Sequence, residues 1–589
     1  MSTGGVITRD SSSRLVAPRI INVMLVLLAA MAAFFALQAF YLAFFANNML
    51  PEGDIWWWFV LDYFPRLDGS YHLSHLFARH NEHIIFTTRV SLFLDAHFFR
   101  LNGVFPIALA FVALLLLAVI FGALVAGTSS RRKWAFATII FLGLTWAIAQ
   151  EENLALEFQL GWLLVHLFAA ACILAAAKAL TARQEARWRW YALAFVADFL
   201  AIFSLASGLL LIVPLLAMPL WLWRMERLYV ALILFHICLA VVYAMQGGGA
   251  SPAAGVPMAS LHEMMLYLFL YLGSGLGGLP GVRIPAGAVI VLFLAATAAW
   301  GLWRSVWLRT PFGVDKVTLL ALGVFILCEA AVTTYGRSFF GIAQAASGRY
   351  GTASLIAMVC IFGLAWRFCR NDLQRIPVVA LLGCAIWASN AYYPYVYAWL
   401  YRTRAVDDVT FALINGTYPT DKLKMYSVIT HPEQFRKEVR RIILLGLGPF
   451  SATASKYQLP TNQISALDLK LLPRCKGHID DLSMGTGMLE AQGWAASPTK
   501  TDANWILAYD GGDRLVGYTR ASFDRPDVAA ALPDIGSGLI GFDLFLRRDR
   551  LGEGLHLVVL SGTGPPSACT MPLKLPASSP AASAAPTAP

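Results

Sequence analysis

The stretch IINVMLVLLAAMAAFFALQAFYLAFF, from Ile20 to Phe45, is the part of the sequence that decides the fold. It contains no charged residue and is longer than the roughly 20 residues that a helix needs to cross the hydrocarbon layer of a membrane. The tail before it carries Arg9, Arg14 and Arg19, and the stretch is too long for the apolar core of a signal peptide. The sequence therefore predicts an uncleaved first span, preceded by a cytoplasmic tail at residues 1–19.

Similar apolar stretches recur through most of the first 400 residues. The chain of 589 residues is 58% hydrophobic and only 14% charged, and its mean hydropathy is +0.62, which is too apolar for a soluble globule of this size. Ten further spans are predicted near 104–127, 134–150, 160–179, 191–207, 208–223, 228–246, 286–303, 317–335, 351–366 and 376–395. We therefore predict an all-α polytopic membrane domain at residues 20–398, with about eleven transmembrane helices.

The positive charges indicate the orientation of these spans. The connections after every second span carry Arg131, Arg132, Lys133, Arg183, Arg187, Arg189, Arg224, Arg227, Arg304, Arg309, Lys316, Arg367, Arg370 and Arg375. Lys and Arg resist translocation, so these loops are predicted to be cytoplasmic. An odd number of spans then places the C-terminus outside, in the inner membrane of a bacterium. The net charge of +10 is explained by these loops and does not indicate nucleic acid as a partner.

The last third of the chain has a different pattern. Residues 399–470 read as a polar connector, and residues 471–576 as a small extracytoplasmic β-sandwich. Its strand-like runs are Met488 to Trp494, Trp505 to Tyr509, Leu515 to Thr519, Ile540 to Leu546 and Leu555 to Leu560, with a turn at Asp510 to Asp513. Trp494 and Trp505 suit either a core or a carbohydrate-binding face. The tail at 577–589, rich in Ala, Ser and Pro, is predicted to be disordered.

Cysteine positions separate the two parts. Six of the eight cysteines lie in or beside predicted spans, whereas Cys475 and Cys569 bracket the β-rich region. In an oxidising compartment these two predict a disulfide, and the alternative is a pair of unpaired core thiols. The sequence contains no CxxC or HExxH motif, no Walker loop and no GxGxxG between a strand and a helix. It therefore indicates neither structural zinc nor nucleotide hydrolysis.

The segment between the first two spans, residues 46–103, is predicted to lie outside and is rich in reactive groups. Glu52 and Asp54 follow the first span directly, beside Trp56, Trp57 and Trp58. A carboxylate at such a place can act as a base towards a hydroxyl, or it can cap a helix. The tryptophans suit an interfacial belt or a surface that stacks on a sugar ring.

Further along the same segment, Arg79-His80-Asn81-Glu82-His83 combines donors, acceptors and imidazoles within five residues. His80 and His83 could bind a divalent metal, or His80, Glu82 and His83 could hydrogen-bond to a substrate or within the loop. Residues Ile84 to Phe99 then predict an amphipathic helix at the membrane surface.

Two other outer connections carry polar clusters. The first contains Glu151, Glu152 and Asn153, and the second contains Arg337, Arg349 and Tyr350. Arginines on the outer face oppose the charge bias of membrane loops, and their planar guanidinium groups suit a lipid phosphate. The alternative is a structural ion pair with Glu151, Glu152 or Glu157. Asp198 and Glu329, inside predicted spans, are secondary candidates.

The arrangement over residues 20–400 resembles the C-type glycosyltransferases, membrane enzymes that take a sugar from a polyprenyl-phosphate carrier. The matching features are Glu52-x-Asp54 in the first outer loop, Asn81-Glu82-His83, Gln150 to Asn153, and Gly336-Arg337-Ser338 with Ser347 to Tyr350. The resemblance implies Asp54 as the base, Glu52 as its partner or alternate, and Arg337 and Arg349 as ligands of the donor phosphate. It also implies inversion at the anomeric carbon, and some members of the family use a divalent metal.

We therefore expect a hexosyl- or pentosyltransferase that uses a lipid-phosphate-linked sugar and a glycan, lipid or protein acceptor in cell-envelope glycan synthesis. The rival hypotheses are a transporter or flippase of a lipid-linked saccharide and a non-catalytic subunit of an envelope polysaccharide system. A transporter should carry paired polar groups near the middle of several spans, whereas an enzyme of this kind should gather them at one face.

Overall fold

The structure is a computed structural model that describes residues 11–45, 49–127, 130–246, 259–391, 393–419, 432–485, 487–496, 503–535, 538–561 and 567–575. The tail predicted to be disordered and most of the glycine-rich stretch after Gln246 lie outside these residues. The chain divides into two compact units. The first consists of Met1–Asn47, Asp62–Phe99 and Gly103–Trp399, and the second of Asn48–Leu61, Arg100–Asn102 and Leu400–Pro589.

The first unit is helical apart from one short hairpin. Its helices are α1 (Ser11–Phe45), α3 (Phe64–Leu67), α4 (Phe86–Phe99), α5 (Val104–Ala126), α6 (Arg131–Thr145), α7 (Glu151–Ala155), α8 (Leu160–Thr181), α9 (Gln184–Ile202), α10 (Ile212–Leu222), α11 (Arg227–Met245), α12 (Leu261–Gly273), α13 (Arg283–Val306), α14 (Val314–Arg337), α15 (Gly351–Phe368) and α16 (Asp372–Asn390). The hairpin pairs β1 (Arg79–His80) with β2 (His83–Ile84). α2 (Ile55–Trp58) belongs to the second unit.

Among the residues that the structure describes, seven helical segments are long and apolar enough to cross a membrane, and eight are if one bent pair counts as a span. They are Pro18–Phe45, Val104–Ala126, Glu157–Thr181, Arg227–Met245, Pro280–Val306, Val314–Phe340 and Gly348–Phe368. The bent pair is Arg131–Thr145 with Ile148–Ala155, at an angle of 49°. The protein is thus a multi-pass membrane protein by the length and composition of its helices.

The other predicted spans are helical but shorter or more polar than these seven. Ala206–Leu222 is apolar but shorter than a span. Helices α9 and α16 are not among the segments that are both long and apolar enough to cross a membrane. A count of eleven therefore stays a prediction. The sequence reading also missed α12, which it assigned to an outer connection, because thirteen residues are too few for a span.

The C-terminal unit combines helices with two sheets. Its further helices are α17 (Tyr393–Ile414), whose first turns belong to the first unit, α18 (Pro432–Leu445), α19 (Thr461–Ile464) and α20 (Pro526–Ala531). The strands are β3 (Lys476–Gly485), β4 (Met488–Ala496), β5 (Ala503–Tyr509), β6 (Leu515–Thr519), β7 (Phe523–Asp524), β8 (Leu539–Arg547), β9 (His556–Ser561) and β10 (Ser567–Pro572). They form two antiparallel sheets, with strand orders β10-β9-β5-β6 and β3-β4-β8-β7.

The two sheets share one apolar core, as a sandwich requires. Leu489 and Phe542 from one sheet pack with Ile506 and Val559 from the other, and all four side chains are buried. The five predicted strands are confirmed within a few residues. The three missed strands, β3, β7 and β10, lie at sheet edges, where one side is solvated and the apolar pattern is weak.

The predicted disulfide between Cys475 and Cys569 is confirmed, with 5.0 Å between the two Cα atoms. It joins the chain just before β3 to β10, across a sequence separation of 94 residues. A bridge that closes such a long loop restricts the unfolded chain and stabilises the folded sheets. It also indicates an oxidising environment for this part of the chain.

The segment predicted as a polar connector has a structural role in the second unit. Phe411 and Tyr457 pack in one buried cluster with Trp505 and Leu507 of β5. Trp505 is 8% exposed and Trp494 is 9% exposed, so both are core aromatics rather than an open sugar-binding face.

Candidate functional site

Arg349 and Glu152 form the centre of the polar cluster in the first unit. Arg349 Nε lies 3.1 Å from Glu152 Oε2, and the other carboxylate oxygen accepts hydrogen bonds from the Ser347 hydroxyl (2.7 Å) and the Gly348 N–H (3.2 Å). The ion pair that the sequence offered as a structural alternative is therefore present. The Arg349 side chain nevertheless remains 43% exposed, so part of its guanidinium group faces outwards.

A buried amide network fixes the backbone around this pair. Asn153 Nδ2 donates to the Arg349 carbonyl (2.9 Å) and to Thr352 Oγ1 (2.8 Å), and Thr352 donates to Gln150 Oε1 (2.5 Å). Gly348 leaves room for Glu151 here, because a Cβ atom at this position would lie 2.7 Å from Glu151 Oε2 and the Glu151 carboxylate would have to move. The start of α7, Glu151 to Asn153, and the turn at Ser347 to Tyr350 are thus held together by hydrogen bonds.

The second arginine is held by a different carboxylate. Arg337, the last residue of α14, forms an ion pair with Glu82, which lies in the turn between β1 and β2. The Arg337 side chain is 29% exposed. The same turn contains Asn81 with a φ of 54°, a conformation that asparagine tolerates better than most residues. The β1–β2 hairpin and the end of α14 are therefore joined by an ion pair.

Aromatic side chains connect the two arginine regions. His80 lies 5.0 Å from the Phe158 ring, and His83 lies 6.3 Å from Trp162 at the start of α8. Trp162 in turn contacts Tyr350 edge-to-face, with ring centres 5.7 Å apart. The contacts run from Arg337 through Glu82 and His83 to Tyr350 and Arg349.

The structure thus brings nine predicted residues into one cluster, namely His80, Glu82, His83, Glu151, Glu152, Asn153, Arg337, Arg349 and Tyr350. Its charge pattern is two partly exposed guanidinium groups, each balanced by one carboxylate. Such a pair can receive an anion by exchanging its carboxylate for a phosphate oxygen. Of the neighbouring rings, those of Tyr350 and His80 are buried, and those of His83, Phe158 and Trp162 are partly exposed.

The two candidate bases, Glu52 and Asp54, belong to the second unit. Glu52 is bound by Arg402, whose Nε and terminal nitrogen lie 3.0 and 2.9 Å from Glu52 Oε2. Asp54 precedes α2, and its side chain makes no capping hydrogen bond to that helix. The helix-cap alternative for Asp54 is therefore not supported, and Glu52 is engaged in an ion pair that orders the loop.

Two of the three tryptophans after Asp54 are buried in the protein, whereas the tryptophans of an interfacial belt face the lipid. Trp56 and Trp58 are 1% and 0% exposed, and Trp56 packs against Phe435 at 4.7 Å. The belt interpretation is therefore wrong for these two residues, and only Trp57 is half-buried. Large aromatic rings so close to the first span fill the interior of the second unit instead.

Several buried charged pairs escaped the sequence reading. Arg89 Nε lies 3.1 Å from Asp62, and Tyr71 donates a 3.1 Å hydrogen bond to the same carboxylate. The burial of Asp62 raises the pKa of its carboxyl, and Arg89 opposes that rise. Both residues are in the predicted outer loop, but no spacing rule in the sequence relates positions 62 and 89.

Two further pairs lie inside the helices. Glu329 of α14 contacts His166 of α8 at 2.8 Å, and Asp198 of α9 contacts His236 of α11 at 2.7 Å. All four side chains are at most 1% exposed. The two acids were secondary candidates, and the two histidines were missed. A histidine in an apolar stretch was the available signal, because a polar group within a span needs a partner.

No metal centre is visible among the residues that the structure describes. His80 and His83 are paired across the β1–β2 hairpin, but no group of three or more His, Cys, Asp or Glu side chains in the described ranges could hold a metal ion. The imidazole of His80 packs against Phe158, and that of His83 packs against Trp162.

Comparison with known proteins identifies no relative. Neither the family models, nor the curated proteins, nor the solved structures contain a significant match to this chain. The class that the fold defines is therefore a multi-pass membrane protein with a disulfide-bonded β-rich C-terminal unit.

Proposed function

We propose that this protein is an inverting membrane glycosyltransferase that transfers a hexose or pentose from a polyprenyl-phosphate donor to an acceptor on the outer face of a bacterial inner membrane. The observation that carries the proposal is the cluster around Arg337 and Arg349. Two partly exposed arginines, each balanced by a single carboxylate, form a surface that fits a lipid-linked phosphate and its sugar. The acceptor is a glycan, a lipid or a protein of the cell envelope.

The orientation proposed is a cytoplasmic N-terminus and an extracytoplasmic C-terminal unit. Residues Asn48–Leu61, which follow the first span, belong to the same compact unit as the disulfide-bonded sheets. One compact unit lies on one side of a membrane, and the disulfide suits the oxidising side. The Lys- and Arg-rich connections then face the cytoplasm.

In the proposed reaction, Asp54 accepts the proton of an acceptor hydroxyl as its oxygen attacks the anomeric carbon. The bond from that carbon to the phosphate oxygen breaks, and the polyprenyl phosphate leaves with the electron pair. Arg337 and Arg349 balance the charge that develops on the leaving phosphate. Glu52, bound by Arg402, keeps the loop that carries Asp54 ordered. A divalent metal is not required by this scheme.

The test is transfer of labelled sugar from a panel of polyprenyl-phosphate sugars in membranes that contain the protein or one of its variants. Asp54→Asn should reduce transfer by about 100-fold or more, as expected for loss of a general base. Arg349→Gln should also reduce transfer, mainly through weaker donor binding. Arg283→Gln is the matched control, because this arginine donates to the Gly277 carbonyl at 2.7 Å and lies outside the cluster. Transfer that survives Asp54→Asn would assign the base to another residue.

A transporter of a lipid-linked saccharide is the second candidate, and one observation favours it. Asp198–His236 and Glu329–His166 are buried carboxylate–histidine pairs within the helices, as proton-coupled transporters use. His236 lies midway along the span Arg227–Met245. His236→Gln should abolish movement of the saccharide across the membrane if the protein is a transporter, and it should leave sugar transfer intact if the protein is a transferase.

A further inference from the structure

Helix α18 (Pro432–Leu445) has an exposed surface that neither the proposed reaction nor the core of the second unit uses. Its inner face is mostly apolar, since Phe435, Val439 and Ile442 are at most 4% exposed, and Glu438, at 6%, is the acid buried beside them. Its C-terminal end is also apolar but open: Leu444 is 85% exposed, and Ile443 and Leu445 are each 37% exposed. Three consecutive apolar residues at an exposed helix end are unusual for a surface that faces only water.

A row of basic side chains lies beside this apolar end. Lys437 and Arg440 are exposed, and together with Arg436, Arg441, Leu444 and Glu433 they line an open groove. Glu433 is the one acid of that groove, and it pairs with Arg436 at 3.0 Å. The remaining positive charge attracts an anionic surface. Basic residues next to an exposed apolar end are typical of helices that lie in the headgroup region of a membrane.

The chain connections bring this helix close to the membrane boundary. Gly448 follows α18 by three residues, and its N–H donates a 2.7 Å hydrogen bond to the Arg100 carbonyl. A Cβ atom on Gly448 would lie 2.8 Å from the Met49 carbonyl. Met49 comes four residues after the end of the span Pro18–Phe45, and Arg100 comes four residues before the span Val104–Ala126.

Consecutive Cα atoms are about 3.8 Å apart, so four residues cover at most about 15 Å. The end of α18 is therefore tied, through two separate connections, to positions within reach of the headgroup layer. This layer accepts both the apolar end and the basic row.

We propose that α18 is a membrane-surface helix. Ile443, Leu444 and Leu445 enter the boundary between headgroups and acyl chains of the outer leaflet, and Lys437 and Arg440 bind the phosphates of anionic phospholipids there. This contact holds the C-terminal unit at the membrane surface. The choice of the outer leaflet rests on the orientation proposed above, whereas the contact itself does not depend on the proposed reaction.

The experiment uses the full-length protein in lipid nanodiscs, with a photoreactive benzophenone amino acid introduced at Leu444. The control position is Leu471, an exposed leucine of the same unit with 80% exposure. Nanodiscs are made from phosphatidylcholine alone or from phosphatidylcholine mixed with phosphatidylglycerol, and crosslinked lipid is measured by mass spectrometry. We expect lipid adducts at position 444, severalfold above those at position 471, and more in the anionic nanodiscs.

The charge contribution is tested by the double variant Lys437→Glu/Arg440→Glu, in which the probe at position 444 should lose the increase caused by phosphatidylglycerol. Arg548→Glu/Arg550→Glu is matched in charge and exposure and should keep it. The proposal is overturned if adducts at position 444 do not exceed those at position 471, or if the main adduct is a protein. Intact Cys475–Cys569 disulfide in every variant shows that the unit has folded.

Discussion

Two arginine–carboxylate pairs of the first unit have the same chemistry and opposite surroundings. Arg89 and Asp62 are 1% and 3% exposed in their side chains, and the guanidinium group of Arg89 also donates to the Leu76 carbonyl (3.3 Å) and the Ala78 carbonyl (2.5 Å). Arg349 and Glu152 are 43% and 22% exposed. The first pair is saturated by protein groups, whereas the second leaves part of its guanidinium group open.

The comparison shows that two ion pairs of the same chemistry can differ in function, because burial decides whether the guanidinium group can reach any other partner. Removal of one partner from a buried pair leaves an uncompensated charge in a poorly polar environment, which is costly. The same change in a half-exposed pair is compensated by water. Under the proposed function, Arg349 can therefore exchange its carboxylate for a ligand oxygen, whereas the buried Asp62–Arg89 pair cannot.

Arg89→Met should give the largest effect on stability. It leaves Asp62 buried without its cation, and we expect the free energy of unfolding to fall by about 3–5 kcal/mol, measured by thermal or denaturant unfolding of the purified protein. The double variant Asp62→Asn/Arg89→Met should recover much of the loss, because no charge is then left buried. Equal stability of Arg89→Met and the natural protein would show that burial does not distinguish the two pairs.

Asp95 sharpens the comparison because it is buried on the same helix as Arg89. Its carboxylate accepts a hydrogen bond from the Gly103 N–H at 3.0 Å, at the start of α5. Burial raises the pKa of Asp95 to about 6, although the hydrogen bonds from Gly103 and Phe105 oppose the rise. A carboxyl whose pKa is raised in the folded state stabilises the fold fully at low pH, and the stabilisation is lost as the pH rises through the folded pKa.

We therefore expect the natural protein to lose about 3 kcal/mol of stability between about pH 4 and pH 7, relative to Asp95→Asn, since a rise of two pKa units corresponds to this energy. Unfolding measured at several pH values tests the difference. Asp68→Asn, which removes one carboxylate at an exposed position, is measured alongside as the control. A profile of Asp95→Asn that is parallel to that of the natural protein would contradict the expectation.

Arg349→Gln should have the smallest effect on stability, below about 1 kcal/mol, because its ion pair is half-exposed. Under the proposed function, the same variant should bind the lipid-phosphate donor more weakly, which appears as a raised KM for transfer. Glu152→Gln should likewise leave stability nearly unchanged. A loss of several kcal/mol in either variant would show that the Arg349–Glu152 pair stabilises the fold as the Arg89–Asp62 pair does.

Much of the architecture was predictable because one signal is local and strong. Apolar stretches such as 104–127 and 228–246 need only be long enough to cross the hydrocarbon layer, and both appear as helices at nearly the predicted bounds. The bend between α6 and the segment Ile148–Ala155 was not predicted. It depends on contacts with distant segments, including the hydrogen bond from the Ile148 N–H to Asn390.

The sequence named the charged residues of the candidate site, but it offered three acids as possible partners of the arginines and did not link Arg337 to Glu82. Outer-face arginines and acids are detectable one by one, since each opposes the composition expected at its position. Arg349 and Glu152 are 197 residues apart, and a single sequence contains no record of such proximity. The same limit explains why Arg402 was not linked to Glu52, 350 residues away.

The sequence by itself determined that this is a membrane protein of many helices with a separate β-rich C-terminal part, and it predicted the disulfide that the structure confirms. These properties follow from hydropathy, segment length and the positions of two cysteines, which are local or nearly unique features. The tertiary structure alone decided which charges are buried in pairs, which remain open to a ligand, and which tryptophans are core residues. Burial is a property of the packed chain, because it depends on the neighbours that folding brings to each side chain.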